Sequence, residues 1–343
     1  MIDTVVLVAA VVAVTLFFAF TNGFQDASAT VATMIACHAI TPRAGVMYSA
    51  LFSFLGAMLG GSAVAFTTET LVSVSDAQLM VHVLLTATLA AAGWNIITWW
   101  FGLPSSSTHA LVGGLIGSGM AGAGRGSVDW GLSELMGGEL TGIAKVLMFL
   151  VISVGIGFIS GLLVKRFSMI SLRNSKRTVN GTIRHAQYLT TAVLAFARGA
   201  NDGQKQMGII AIALATGGLI TMHQIPIWVR GAVAIAISAG TIGGGWKIMR
   251  TLGRKIYPIK PIDALSSQIA SSSSIVLSTL AGAPVSSTQV VASSVMGVGA
   301  GERVKMVQWA VGKHIVISWM LTIPASALLS ALLFNILAYL STV

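Results

Sequence analysis

The sequence has little charge and almost no cysteine. Only 9% of its 343 residues are charged, whereas about a quarter of a soluble domain is charged. The single cysteine, Cys37, excludes an intrachain disulfide. No segment matches a nucleotide-binding loop, a metal-ligand cluster or a nucleophile with its base, which argues against ATP hydrolysis and against an enzyme. Because 55% of the residues are hydrophobic, the composition indicates a membrane protein.

Long apolar segments are the most abundant feature of the chain. A helix needs roughly 20 such residues to cross a bilayer, and the segments do not show the alternation over roughly ten residues that is typical of outer-membrane barrel strands. They cover residues 4–20, 44–66, 81–101, 143–164, 225–248 and 307–336. The sequence therefore predicts an all-α polytopic protein of the lipid bilayer.

Charged residues cluster in the connecting loops, and their signs predict the topology. The segments 165–185 and 250–260 are basic without an acid, which places both on the cytoplasmic side. The segments 67–78 and 121–140 are mainly acidic and are predicted to lie outside. Cytoplasmic retention therefore explains the net charge of +10, and no nucleic-acid partner is expected.

The charge pattern also predicts an inverted-topology repeat. When the halves are aligned by the motifs described next, the acidic loop 67–78 matches the basic loop 250–260. Equivalent loops of opposite charge require halves of opposite orientation. The prediction is a first repeat at 1–164, a cytoplasmic linker at 165–185 and a second repeat at 186–343, with both termini outside. Such repeats are typical of transporters with a midplane site.

Two acids lie within apolar sequence, each behind a glycine and each followed by a proline and a row of hydroxyls. The two sets are Gly23-Phe24-Gln25-Asp26 with Pro104-Ser105-Ser106-Ser107-Thr108, and Gly199-Ala200-Asn201-Asp202 with Pro284-Val285-Ser286-Ser287-Thr288. Placing a carboxylate at such depth in a membrane helix costs about 2.5–3.5 kcal/mol of free energy, so each acid is expected to have a partner or a functional role. The glycines are predicted to let the helices unwind. Each proline is predicted to occupy the first turn of a half-helix, forming a Ser/Thr-tipped hairpin that suits an oxyanion.

Three residues near the acids leave alternatives open. Lys205 follows Asp202 by three residues, so a structural ion pair along one helix is an alternative to a transport role. Arg198 and Lys205 could instead balance the charge of a bound anion. His109 is either a hydrogen-bonded helix residue or a proton-linked one.

At these motifs the sequence resembles the inorganic phosphate transporter (PiT) family, and within it the bacterial low-affinity phosphate permeases. The resemblance is carried by residues 22–26, 104–109, 199–205 and 284–288. It implies a symporter that imports inorganic phosphate with a cation by alternating access, through broken helices and two hairpins. It further implies a homodimer in the bacterial inner membrane that needs no cofactor.

The resemblance also implies the site residues. Substrate binding is expected at Gln25, Asp26, Ser106, Ser107, Thr108, Asn201, Asp202, Lys205, Ser286, Ser287 and Thr288. Cation coupling is expected at Asn22, Asp26, Asn201 and Asp202, with His109 and Arg198 as further candidates. The sequence assigns no metal ligand.

The chain departs from the family signature at three positions. Gln25 replaces an asparagine, and Ala29 and Lys205 replace a later asparagine in the two copies. Because sodium could use these amides as ligands, their loss favours a proton as the coupling ion, with a metal–phosphate complex as one form of the substrate. Sodium coupling and sulfate transport are the alternatives within the family. From other classes, the alternatives are a membrane receptor or scaffold, and a membrane enzyme that uses Asp26 and His109.

Overall fold

The computed structural model describes residues 2–176, 178–245, 248–249 and 251–342. Within these residues the secondary structure is helical, and the β-type contact is one isolated bridge between Val72 and Val128. The helices are α1 (Ile2–Ala36), α2 (Pro42–Leu59), α3 (Ala63–Glu69), α4 (Ala77–Trp100), α5 (Ser107–Ala123), α6 (Leu132–Met136), α7 (Gly142–Ser171), α8 (Val179–Thr216), α9 (Ile227–Gly243), α10 (Pro261–Leu280), α11 (Ser287–Arg303) and α12 (Trp309–Thr342).

Four of the described helices are long and apolar enough to cross a membrane: α1, α4, α7 and α12. A fifth span results if α2 and α3 are counted as one segment, which bends by 70° at a short break. The longest described helix, α8, has 38 residues and carries Arg198, Asp202 and Lys205 in its buried middle. These features confirm the predicted all-α polytopic membrane protein, and they place one broken span at the junction of α2 and α3.

The turns that end α4 and α10 have the same local geometry. At the end of α4 the Gly102 amide donates to the Trp99 carbonyl, and at the end of α10 the Gly282 amide donates to the Thr279 carbonyl. Both glycines are left-handed, with φ of 66° and 67°, a conformation that glycine adopts without strain. Each turn leads into one of the two hairpin tips, which are residues 101–108 and 281–288.

Gly23 and Gly199 lie in continuous helices, so the predicted unwinding at these glycines is wrong. A Cβ at Gly23 would lie 2.0 Å from the Ile237 carbonyl oxygen of α9. A Cβ at Gly199 would lie 2.1 Å from the Ser53 carbonyl oxygen of α2. The glycines are therefore required because two pairs of helix backbones cross in contact at these points.

The two halves are interlocked. α1 packs along α9 and α2 along α8, while α7 packs along α11 and α12 along α5, so each of these contacts joins one half to the other. The hydrophobic cores also mix the halves, with Val83 and Ile209 in one core and Ala29 and Val291 in the other. The opposite membrane orientation of the halves stays a prediction that rests on the charge pattern of the loops.

The predicted linker 165–185 is largely helical. α7 continues to Ser171 and α8 begins at Val179, so residues 172–178 separate the two helices. Arg177, which belongs to this basic segment, lies outside the described residues.

An ion cluster fastens α7 to α10 and α11 at the start of this basic segment. The Lys165 ammonium is buried, 2.5 Å from the Asp263 carboxylate and 2.9 Å from the Glu302 carboxylate. Glu302 also accepts hydrogen bonds of 2.5 Å from Tyr257 and Lys260. Burial alone would raise the pKa of Glu302, but the hydrogen bonds from Lys260, Tyr257 and Lys165 together lower it to about 2.

Candidate functional site

The two acids of the repeated motif lie deep within the bundle and close to both hairpin tips. Asp26 on α1 and Asp202 on α8 are each 1% exposed. The side chains of Thr108 and Thr288, one from each tip helix, are 1% and 0% exposed. The structure therefore brings together the acids and hydroxyls that are separated by about 80 residues within each half.

Each tip helix begins after its proline rather than at it. α5 begins at Ser107 and α11 at Ser287, with Ser106 and Ser286 at the N-cap positions. The Ser106 hydroxyl accepts a hydrogen bond of 3.1 Å from the His109 amide, which is the usual role of serine at a helix start. The prediction that each proline occupies the first helical turn is wrong, because both helices begin three residues after their proline.

Hydroxyls from both halves hold Asp26. One carboxylate oxygen accepts a short hydrogen bond from Thr288 of the second half. The other lies 3.3 Å from the Ser107 hydroxyl of the first half, which is also 3.2 Å from the Asn22 side-chain oxygen. Within the described residues Asp26 has no ion pair, so its environment is polar without a fixed positive charge in contact.

Asp202 has positively charged neighbours. Its Oδ1 lies 2.6 Å from the Lys205 ammonium, and its Oδ2 lies 3.2 Å from the Ser287 hydroxyl and 3.8 Å from Nε of Arg198. Arg198 is 1% exposed and also donates to Thr241 at 3.0 Å and to Thr30 at 3.5 Å. The ion pair along α8 that the sequence left as an alternative is therefore present.

Lys205 also joins the two tips, which an ion pair within one helix does not explain. Its ammonium donates to the Thr108 hydroxyl at 2.6 Å and to the Val285 carbonyl at 2.9 Å. Thr108 itself donates to the same carbonyl at 2.9 Å. Since an ammonium has three donors, Asp202 and these two tip atoms use all of them.

Asn201 contacts the second hairpin, and Gln25 contacts the end of α4. The Asn201 amide donates to Thr279 at 2.9 Å and to the Ala283 carbonyl at 3.1 Å, and its oxygen accepts from the Val285 amide at 3.2 Å. The Gln25 amide donates to Thr98 at 3.3 Å, next to the first tip. In this conformation Asn201 joins α8 to the second tip, and Gln25 joins α1 to the last turn of α4.

His109 is not in the cluster around the acids. Its Nδ1 lies 3.2 Å from the Trp319 carbonyl and 3.1 Å from the Gln289 amide. Together with Gln289 and Trp319 it lines a mainly apolar cavity of about 460 Å³ between α7 and α12. The pair of Asp26 and His109 that a membrane enzyme would need is therefore not formed.

Two glutamines of α8 are buried near the site although neither was singled out from the sequence. Gln204 accepts from the Val64 amide at 2.8 Å and donates to the Gly60 carbonyl at 2.8 Å, so it satisfies the backbone at the break between α2 and α3. Gln206 is fully buried, and within the described residues its side chain has no hydrogen-bond partner. The sequence contains a signal for both, because Gln204 lies within the motif 199–205 and Gln206 is a polar residue directly before an apolar segment.

The fold and the site together define a polytopic membrane protein with a closed polar site built from both halves. The family model of the phosphate transporter family matches residues 22–330. The chain is 36% identical over 331 residues to a protein of Rhizobium meliloti described as a "probable low-affinity inorganic phosphate transporter", and the match covers 96% of each chain. A protein of Bacillus subtilis with the same description is 37% identical, over 94% of each chain.

A solved structure has the same fold. It is described as "the sodium-dependent phosphate transporter" and matches with a TM-score of 0.79 at 25% identity, over 97% of this chain and 99% of that one. The class of protein is thus a multi-pass transporter and not an enzyme. This chain belongs to the phosphate transporter family, as its motifs predicted.

Proposed function

We propose that this chain imports inorganic phosphate together with a proton by alternating access. The observation that carries the proposal is the closed site between the halves. Asp26, Asp202, Lys205 and the tip threonines are at most 2% exposed, so solute can reach them only after helices move. Because both halves supply ligands, a movement of one half against the other would open the site to one face at a time.

The chemistry of the site suits a tetrahedral oxyanion that still carries a proton. Arg198 and Lys205 supply positive charge, and the hydroxyls of Ser107, Thr108 and Ser287 supply donors. The carboxylates accept hydrogen bonds, which monohydrogen phosphate can donate and sulfate cannot. This difference favours phosphate over sulfate as the substrate.

Asp26 is the group that we assign to the coupling ion. It is buried and its hydrogen bonds come from neutral hydroxyls, so a proton arriving with the substrate would neutralise a charge that no described cation contacts. Sodium is the second candidate, favoured by the likeness to the sodium-dependent phosphate transporter.

The test is uptake of labelled phosphate into proteoliposomes, with pH and sodium gradients imposed separately and with sulfate as competitor. We expect uptake driven by an inward proton gradient without sodium, and we expect Asp26→Asn and Asp202→Asn to lose it while still reaching the membrane. Glu139→Gln is the matched control, since Glu139 is exposed in a loop. Wild-type uptake by both aspartate variants would refute the proposal, and strict sodium dependence would refute the proton.

The remaining features of the proposal are a homodimer in the bacterial inner membrane and inverted repeats that leave both termini outside. Their support is the family resemblance and the positive charge of the predicted inner loops. An impermeant thiol reagent applied to cells should label cysteines added at either end. Chemical cross-linking in the membrane should give a dimer.

A further inference from the structure

We propose that the ammonium group of Lys205 is a tethered cation that fills the cation position of the second half, so that the transporter carries a mobile cation only beside Asp26. The inference deepens the proposed function and rests on it, since it concerns the same site. It assigns a role to Lys205 that differs from holding phosphate. It also makes the two halves unequal in the coupling step.

The Lys205 ammonium is held by three oxygen atoms of different kinds. Its three neighbours are a carboxylate oxygen of Asp202 at 2.6 Å, the hydroxyl oxygen of Thr108 at 2.6 Å and the carbonyl oxygen of Val285 at 2.9 Å. Carboxylate, hydroxyl and carbonyl oxygens are also the ligands that hard cations take in proteins. Lys205 is 2% exposed, so the charge is enclosed by these oxygens.

The corresponding place in the first half has no such group. Asp26 corresponds to Asp202 and Thr288 to Thr108, but the Thr288 hydroxyl donates directly to the Asp26 carboxylate. In the second half the Lys205 ammonium stands between the carboxylate and the threonine. Three residues after Asp26 the chain has Ala29, which brings no charge. Of the two equivalent positions between a carboxylate and a threonine, only the one in the second half thus holds a fixed cation among the described residues.

The difference has a consequence for energy coupling. A cation that is covalently bound to α8 cannot cross the membrane with the substrate, so it neutralises Asp202 without drawing on an ion gradient. Each monovalent cation that crosses with phosphate multiplies the ratio of inside to outside phosphate concentration by about 50 at a membrane potential of 100 mV. Because Lys205 takes the place of a second mobile cation, the transporter lacks that cation's 50-fold contribution. Coupling then depends on the ion beside Asp26 alone.

The decisive variant is Lys205→Asn, which removes the fixed charge and offers an amide oxygen in its place. We expect the purified variant to bind radioactive sodium at least 10-fold more tightly than the wild type. In proteoliposomes, the reversal potential should show one more mobile cation for each phosphate. Adding Asp202→Asn to this variant should abolish the gain. The control Ala29→Asn, which places the same amide in the first half, should keep the wild-type cation count.

Retained phosphate uptake by Lys205→Asn with an unchanged cation count would overturn the inference. So would loss of phosphate binding without any gain in sodium binding, since that result would make Lys205 a phosphate ligand alone. If the variant does not fold, as judged by gel filtration, the wild type supplies the test: its uptake rate should rise with the coupling cation with a Hill coefficient near 1, and a value near 2 would contradict us. Sodium binding to the purified variant is measured without transport, so it remains informative even if the wild type fails to take up phosphate.

Discussion

Gly199 offers a sharp test of how the helices that carry the acids are held. Gly199→Ala would place a methyl group 2.1 Å from the Ser53 carbonyl oxygen, and real side chains essentially never come closer than 3.0 Å to such an atom. The two backbones would have to separate by about 0.9 Å, the difference between these distances. The obstacle is main chain, so a change of side-chain rotamer cannot relieve it.

The size of the effect follows from two opposing contributions. Overpacking of this kind costs about 1–3 kcal/mol, whereas replacing a helical glycine by alanine gains up to about 1 kcal/mol. We therefore expect Gly199→Ala to lower the free energy of unfolding by about 1–2 kcal/mol. At an unfolding entropy of about 2.1 cal/mol/K per residue, the 343 residues give about 1.4 °C per kcal/mol, so the unfolding temperature should fall by about 1–3 °C.

The assay is thermal unfolding in detergent, followed by the fluorescence of the eight tryptophans. Gly231→Ala is the matched control, because a Cβ on that α9 glycine would meet nothing within 4 Å, and it should hold or raise the unfolding temperature. If Gly199→Ala proved as stable as Gly231→Ala, close backbone contact could not be the reason for this glycine. A local unwinding of α8 would then again be the better explanation.

Two further predictions concern side chains outside the transport site. Because the pKa of Glu302 is lowered in the folded protein, its ionised carboxylate stabilises the fold fully above the ordinary pKa of 4.5, and this stabilisation is lost as the pH falls towards about 2. The unfolding temperature should therefore fall between pH 5 and pH 2.5, and Glu302→Gln should flatten that part of the pH profile. An unchanged slope in the variant would exclude this cluster as the cause. Gln204→Leu should destabilise the break between α2 and α3 by about 1–3 kcal/mol, because the Val64 amide and the Gly60 carbonyl would lose their hydrogen-bond partner. Hydrogen exchange at the Val64 amide should become faster in this variant. Unchanged protection of that amide would contradict the role given to Gln204.

Much of the architecture could be predicted from the sequence because the signals are local. Apolar length indicates membrane helices wherever the fold places them, and the repeated motif pointed to acids and hydroxyls that the structure brings into one cluster. The Asp202–Lys205 pair also followed from spacing, since residues three apart share one helix face. The roles assigned to these residues in binding and coupling stay predictions.

Features that depend on what packs against a residue differ from the predictions made from the sequence. Gly23 and Gly199 were expected to break their helices, but whether a glycine gives flexibility or close approach is decided by the neighbouring backbone, here those of Ile237 and Ser53. His109 was paired with Asp26 in the enzyme alternative, yet its ring contacts Trp319, which lies 210 residues away in the sequence. No local pattern in a sequence reports such a contact.

The interlocking of the halves has a consequence for how the protein is made. Gly161 on α7 packs against the Ser294 carbonyl of α11, and Gly117 on α5 packs against the Ala327 carbonyl of α12. When the ribosome completes the first half, the partners of both helices have yet to be synthesised. α5 and α7 must therefore stay in the bilayer with their small-residue faces unpacked. Folding is completed only when α12 is inserted. Assembly is thus a late event, and two separately expressed halves would have to find each other in the membrane to complete it.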